Sequence, residues 1–285
     1  MSKHEETQEI SDSEMKQNMA LAKHNLLSVA AAVMNVPAEV FTTPPPVDPR
    51  PPKSEEETQF RSQVDAILDK GWSSVDGFQT SQEEMDDIDK QMGTDNIHLP
   101  STYGEITFLG SRQLFHYMKL TADDASEKSQ PYTFMDLGCG GGKLLVQSYL
   151  ELKSVDRIIG IELSNDRYQV AKKAWNKVNK EAKKLRTETM GANDASLEIS
   201  KGDLYKMDIS SATHIYVASL CFTEEMMERL ARKIVNEGEN LKCVATLKAF
   251  PEEYEDRLGK PSIQYLEMSW TQYKGTGSRV YFYNV

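Results

Sequence analysis

Phe134-Met135-Asp136-Leu137-Gly138-Cys139-Gly140-Gly141-Gly142-Lys143 is an apolar run closed by an acid and followed by four glycines within five positions. Glycines directly after a strand let the backbone turn sharply into a helix and approach a ligand closely, because no Cβ intervenes. The stretch predicts a ligand-binding strand, loop and helix, against the plainer reading of a glycine turn.

Residue types discriminate among the ligands such loops take. A phosphate-gripping loop needs G-x-x-x-x-G-K-[ST], whereas Gly142-Lys143 is followed by Leu144, so spacing and hydroxyl are both missing. A dinucleotide fold wants G-x-G-x-x-G, but Gly138, Gly140 and Gly142 form G-x-G-x-G, and Asp136 would set a carboxylate beside a pyrophosphate. S-adenosylmethionine carries an ammonium and a sulfonium and no phosphate, so an acid at the strand end suits it electrostatically. It is the favoured ligand.

Outward from this loop, apolar runs alternate with helical stretches: strand 132–137, helix 142–152, strand 157–162, helix 165–186, strands 196–200 and 213–219, helix 223–236 and strand 241–248. Such alternation predicts a parallel, doubly wound α/β sheet. Residues 262–269 and 278–284 add a hairpin that places an antiparallel strand at the sheet edge. Seven strands ending in a hairpin constitute the class I methyltransferase arrangement, a Rossmann-like sheet.

Two further acids follow at successive strand ends. Ile158-Ile159-Gly160-Ile161-Glu162 ends in a carboxylate twenty residues after Gly142, a spacing suited to the ribose hydroxyls of an adenosine. Gly202-Asp203-Leu204 offers an acceptor for an adenine amino group and an apolar side chain for its ring. Each acid alone serves equally as a helix N-cap. Together, in open parallel sheets, strand ends are where ligands bind.

The region before the sheet is different in character. The net charge of −11 resides in residues 1–100, which hold 8 basic and 19 acidic side chains; residues 101–285 hold 25 of each. Ser11-x-x-Glu14 and an apolar stripe through Met15, Met19, Leu26 and Val33 predict a helix over 11–36, which packs on the body or provides a dimer stripe. Six prolines within 42–53 predict an extended linker. Ser54-x-x-Glu57 and Ser81-x-x-Glu84 cap two more helices. The expected organisation is an acidic head and linker over 1–53, a helical subdomain over 54–100 and a ligand-binding domain over 101–285. Three widely spaced cysteines, no apolar run of membrane-spanning length and no cleavable signal predict a soluble, intracellular protein without metal.

Several motifs together resemble one family. Tyr103-Gly104-Glu105, Asp136-Leu137-Gly138-x-Gly140-x-Gly142, Gly160-Ile161-Glu162, Gly202-Asp203, Phe222, Lys248-x-Phe250 and Ser269-Trp270 followed by Tyr281 are similar to the non-SET histone lysine methyltransferases of the "disruptor of telomeric silencing" type. The resemblance covers roughly residues 95–285, and the chain's compactness resembles protozoan, kinetoplastid-like members. It implies a nuclear enzyme that transfers methyl from S-adenosylmethionine to a lysine in the globular core of histone H3 within the nucleosome. Tyr103, Thr107, Asp136, Gly138, Gly140, Lys143, Glu162, Asp203 and Leu204 would bind the cofactor. Tyr103, Glu105, Phe222, Trp270 and Tyr281 would surround the transfer site. The family often has Gln at the position of Lys143, Thr at Ile106, an aromatic at Leu204 and an Asn near Ala218-Ser219. A lysine methyltransferase for a non-histone protein and a cofactor-binding adaptor are the rival readings. Lys172, Lys173, Lys177, Lys180, Lys183, Lys184 and Arg186 on the long helix, against Glu181 alone, are the expected contacts to nucleosomal DNA.

Overall fold

The computed structural model describes residues 46–73, 80–91, 104–121, 132–191, 195–271 and 276–285. The helix expected over 11–36 and Tyr103 lie outside these residues.

Seven strands form one sheet: β1 (Tyr132–Leu137), β2 (Val155–Glu162), β3 (Ser196–Lys201), β4 (His214–Val217), β5 (Cys243–Thr246), β6 (Ser262–Leu266) and β7 (Ser278–Asn284), in the order β3-β2-β1-β4-β5-β7-β6. The first five pair in parallel; β7 runs antiparallel to both β5 and β6. The hairpin is therefore terminal, but its reversed member lies inside the sheet and β6 forms the edge, which corrects the expected edge position of the antiparallel strand. This is the seven-strand mixed sheet of class I methyltransferases.

The central strands are continuous apolar runs because both faces are covered: every residue of β4 and β5 is buried. Alternate side chains of β1 enter opposite layers. Phe134 belongs to the cluster that holds Leu145, Val178 and Phe282, and Met135 to the one that holds Ile215, Leu230 and Val244. The helices between strands are α4 (Lys143–Glu151), α5 (Asn165–Met190) and α6 (Glu224–Glu237), with a short α7 (Glu255–Leu258) before β6. Both β4 and β5 are shorter than the apolar runs suggested. They end together at the paired Val217 and Thr246, beyond which Ser219–Cys221 forms a 3₁₀ turn.

Three helices precede the sheet: α1 (Glu55–Gly71), α2 (Gln82–Gln91) and α3 (Phe108–Tyr117). The Ser54 hydroxyl accepts from Glu57 N at 3.1 Å, and the Glu57 carboxylate accepts from Lys53 N at 2.9 Å. Val64, Ile67 and Leu68 of α1 belong to the same hydrophobic cluster as Phe134. The preceding proline-rich residues are tied down: Gln113 Nε2 donates to Val47 O at 2.9 Å, and Arg61 pairs with Asp48 at 2.6 Å. On α2, Ser81 N donates to Asp166 Oδ2 at 3.2 Å while Asp166 N donates to Glu84 Oε2 at 3.1 Å, so α2 and the first turn of α5 cap each other.

Arg186 departs from the expected basic face. It is 1% exposed, and its guanidinium donates to the carbonyls of Tyr149, Leu152 and Val155, satisfying the end of α4. Lys172, Lys173, Lys177, Lys180, Lys183 and Lys184 are exposed, with Lys184 near Glu188 at 3.8 Å. Among the described residues, no helix is long and apolar enough to cross a membrane and no side-chain cluster suits a metal ion.

Candidate functional site

A cavity of about 200 Å³ opens at the carboxyl ends of β1, β2 and β4. Its floor is the loop after β1. Gly138, Gly140 and Gly142 have φ of 95°, 54° and 77°, in the left-handed region where a side chain is strained. Gly138 N and Cys139 N both donate to Ile161 O, at 2.9 and 3.0 Å, locking the loop onto β2. Gly160 permits the same approach from the other side: a Cβ there would lie 2.2 Å from Leu145 Cδ1 and 2.8 Å from Cys139 Sγ.

Two carboxylates dominate the electrostatics. Glu162, 6% exposed, accepts from Gly140 N at 2.7 Å with one oxygen and from Ser164 N at 2.9 Å with the other. Each oxygen keeps a further lone pair for an additional donor. Asp136 is 3% exposed, and its Oδ1 has no hydrogen-bond partner. Burial, and then the neighbouring charge of Glu162, push its carboxyl up to about 8. The Tyr216 hydroxyl, on β4 opposite Asp136, is pushed up by burial and by that acid. A buried acid pair with an orphaned oxygen calls for a cation. The ammonium of S-adenosylmethionine meets that need, and a phosphate does not.

The opposite wall joins segments far apart in sequence. Glu105 N donates to Ser269 Oγ at 3.1 Å and Ser269 N donates back to Glu105 O at 2.8 Å. Ile106 and Met268 form an antiparallel bridge. Gly104 lies so close under Trp270 that a Cβ would meet the indole at 2.6 Å. Lys143, at the start of α4, pairs with Glu105 at 2.8 Å and ties this wall to the glycine loop. Leu220, Phe222, Leu247 and Trp270 supply an apolar lining. The β4 and β5 ends that carry the first three are cross-tied, since Ser219 Oγ accepts from Leu247 N at 3.1 Å and Lys248 N at 3.2 Å, and Lys248 Nζ donates to Phe222 O.

Of the residues singled out in the sequence, Glu105, Asp136, Gly138, Gly140, Lys143, Glu162, Leu204, Phe222 and Trp270 line this cavity. Asp203 sits beside it without lining it; its Oδ1 accepts from Tyr205 N at 2.9 Å. Thr107 caps α3, accepting from Gly110 N at 3.0 Å and donating to Glu267 Oε1 at 2.7 Å. Tyr281, on β7 opposite Thr246, lies outside the lining and accepts from Arg279 at 3.4 Å. Sequence reasoning missed Ile88, Arg167, Tyr216 and Leu247. Tyr216 and Leu247 stand near strand ends and were accessible to the strand-end rule, whereas Ile88 arrives only through the packing of α2.

The profile of the histone methylation protein DOT1 family matches residues 90–276, well over half of the chain. A comparison with curated proteins finds no match. Solved structures with a similar arrangement include an RNA methyltransferase from Salinibacter ruber in complex with S-adenosyl-L-homocysteine (18% identity, 63% of this chain and 92% of that one, TM-score 0.40). Another is the rRNA methyltransferase aviRa from Streptomyces viridochromogenes (13% identity, 64% and 86%, TM-score 0.43). A third is human methyltransferase 10 domain containing protein (12% identity, 74% and 97%, TM-score 0.42). The family match, on a seven-strand sheet whose strand ends carry a buried acid pair, leads to one conclusion: the chain belongs to the DOT1 family of histone methylation proteins and is an S-adenosylmethionine-dependent methyltransferase.

Proposed function

We propose that this chain methylates a lysine in the globular core of histone H3 within the nucleosome, and so acts in the nucleus. The observation that carries the reading is the two-bond clamp between Glu105 and Ser269. It unites the two motifs most specific to the family resemblance at the mouth of the cavity, beside Trp270 and the glycine loop.

The bound cofactor supplies an activated methyl on its sulfonium. Asp136 would hold the ammonium, Glu162 the ribose hydroxyls, and Leu204 the adenine ring. The remaining chemistry is alignment and exclusion of water. A lysine entering between Phe222 and Trp270 passes from water into an apolar lining, which disfavours its ammonium form and favours the neutral amine that attacks. Lys143 takes up the charge of Glu105 at 2.8 Å, which offsets one acid on the wall the amine passes. The exposed lysines of α5, Lys172, Lys173, Lys177, Lys180 and Lys184, would contact nucleosomal DNA phosphates.

Mass spectrometry of recombinant nucleosomes after incubation with enzyme and S-adenosylmethionine tests this reading. The expected result is a methylated lysine in the core of H3. Methylation confined to free, non-histone protein, or cofactor binding with no transfer to nucleosomes, would overturn it.

A further inference from the structure

We infer that Trp72, which lies outside the family match and caps the end of α1, is a positioning residue for the methyl-donor loop. Its indole Nε1 donates to Gly141 O at 2.6 Å across 69 residues of sequence, and the side chain is 5% exposed. The bond ties the Gly141 carbonyl, in the middle of the Gly140-Gly141-Gly142 run, to the end of α1. The same peptide unit is held at its other end, where Gly142 N donates to Cys139 O at 2.9 Å. One residue earlier, Gly140 N is bound by Glu162. Thus three consecutive glycines, each free to take many conformations, are fixed by bonds from three directions, and Trp72 supplies the bond from behind the cavity.

The helix that delivers Trp72 is itself anchored. Val64 and Leu68 are fully buried, and a Cβ at Gly71 would meet Val178 of α5 at 3.3 Å. Arg112 bridges Asp65 of α1 and Glu151 of α4, at 2.6 and 2.8 Å. Because α4 begins at the glycine loop, α1 grips both the loop and the helix it leads into. A loop ordered before the ligand arrives does not spend binding free energy on ordering itself. Residues 55–72, N-terminal to the match that begins at 90, thereby belong to the cofactor site of this enzyme.

The inference rests on the reading that this loop holds the methyl donor, and the full-length protein tests both. Calorimetric titration with S-adenosylhomocysteine is compared for wild type, Trp72→Phe and Glu162→Ala. Removing the indole N–H while keeping an aromatic ring should weaken binding about five- to tenfold, the size of one buried hydrogen bond. The KM for S-adenosylmethionine should rise with it, while kcat at saturation stays within about twofold, a split that simple loss of folded protein does not produce. Wild-type affinity in Trp72→Phe overturns the positioning role. Failure of wild type to bind, or of Glu162→Ala to weaken binding, overturns the cofactor reading and the inference with it. If Trp72→Phe does not fold, indole N–H exchange in the wild-type protein decides. With the three tryptophan signals assigned through Trp175→Phe and Trp270→Phe, the Trp72 proton should exchange slowly and more slowly still with S-adenosylhomocysteine. An unprotected Trp72 proton, indifferent to ligand, refutes the bond.

Discussion

Asp136→Asn should stabilise the cofactor-free protein while impairing cofactor binding, and the size of both effects should depend on pH. In the folded chain the Asp136 carboxyl is pushed from an ordinary value of 3.8 up to about 8 by burial and by Glu162. Between those values the folded state holds a proton that the unfolded state has released. Stability therefore falls as pH rises from about 4 to 8 and is level outside that window. At about 1.4 kcal/mol per pH unit, the deficit at pH 7 reaches at most about 4 kcal/mol. Asparagine, nearly isosteric and never charged, escapes it, so the variant's melting temperature should exceed wild type by several degrees at pH 7 and by much less at pH 5. Cofactor binding has the opposite sign. In the proposed binding mode the ligand's ammonium would hold Asp136 ionised, so binding below pH 8 would release a proton. Wild-type affinity for S-adenosylhomocysteine should then tighten, by up to about tenfold per pH unit, until it levels near pH 8. Thermal melts at pH 5, 7 and 8.5, together with titrations in buffers of different ionisation heat, measure both effects. A variant that melts lower than wild type at pH 7, or a wild-type affinity flat between pH 6 and 8, would refute the reasoning.

Gly160→Ala should cost about 1–3 kcal/mol in urea unfolding, since its Cβ would meet Leu145 at 2.2 Å inside a packed layer. Arg186→Met should destabilise by about 2–3 kcal/mol, because three buried carbonyls lose a charged donor, yet nucleosome affinity per folded molecule should not change. Replacing Lys172, Lys177 and Lys180 together with Gln should weaken nucleosome binding and reduce the salt dependence of log Kd, with a slope lowered by up to about 3. An unaltered slope would remove this face of α5 from the DNA contact.

The strand pattern could be read early because buried parallel strands are continuous apolar runs, as in β4 and β5, and because glycine clusters mark the turns between them. The ends of those strands were harder to read. The hydrophobicity of Ala218 and Leu247 continues the pattern, but hydrogen bonds to Ser219 turn both chains aside. Arg186 shows the same limit on α5. Its charge and spacing match the lysines around it, and only the position of the α4 carboxyl end converts it from a surface cation into a buried cap. Thr107, expected at the cofactor, likewise meets a helix end and Glu267 first.

Local chemistry along the chain determined the fold class, the glycine loop and the acids at successive strand ends, since each depends on residue types a few positions apart. Tertiary structure alone decided which distant pieces meet there. Glu105 faces Ser269, Trp270 covers Gly104, and Trp72 reaches Gly141, pairings that depend on how α1, α3 and the β6–β7 hairpin pack against the sheet. No periodicity encodes such contacts, because packing is set by the whole buried surface rather than by neighbours in sequence.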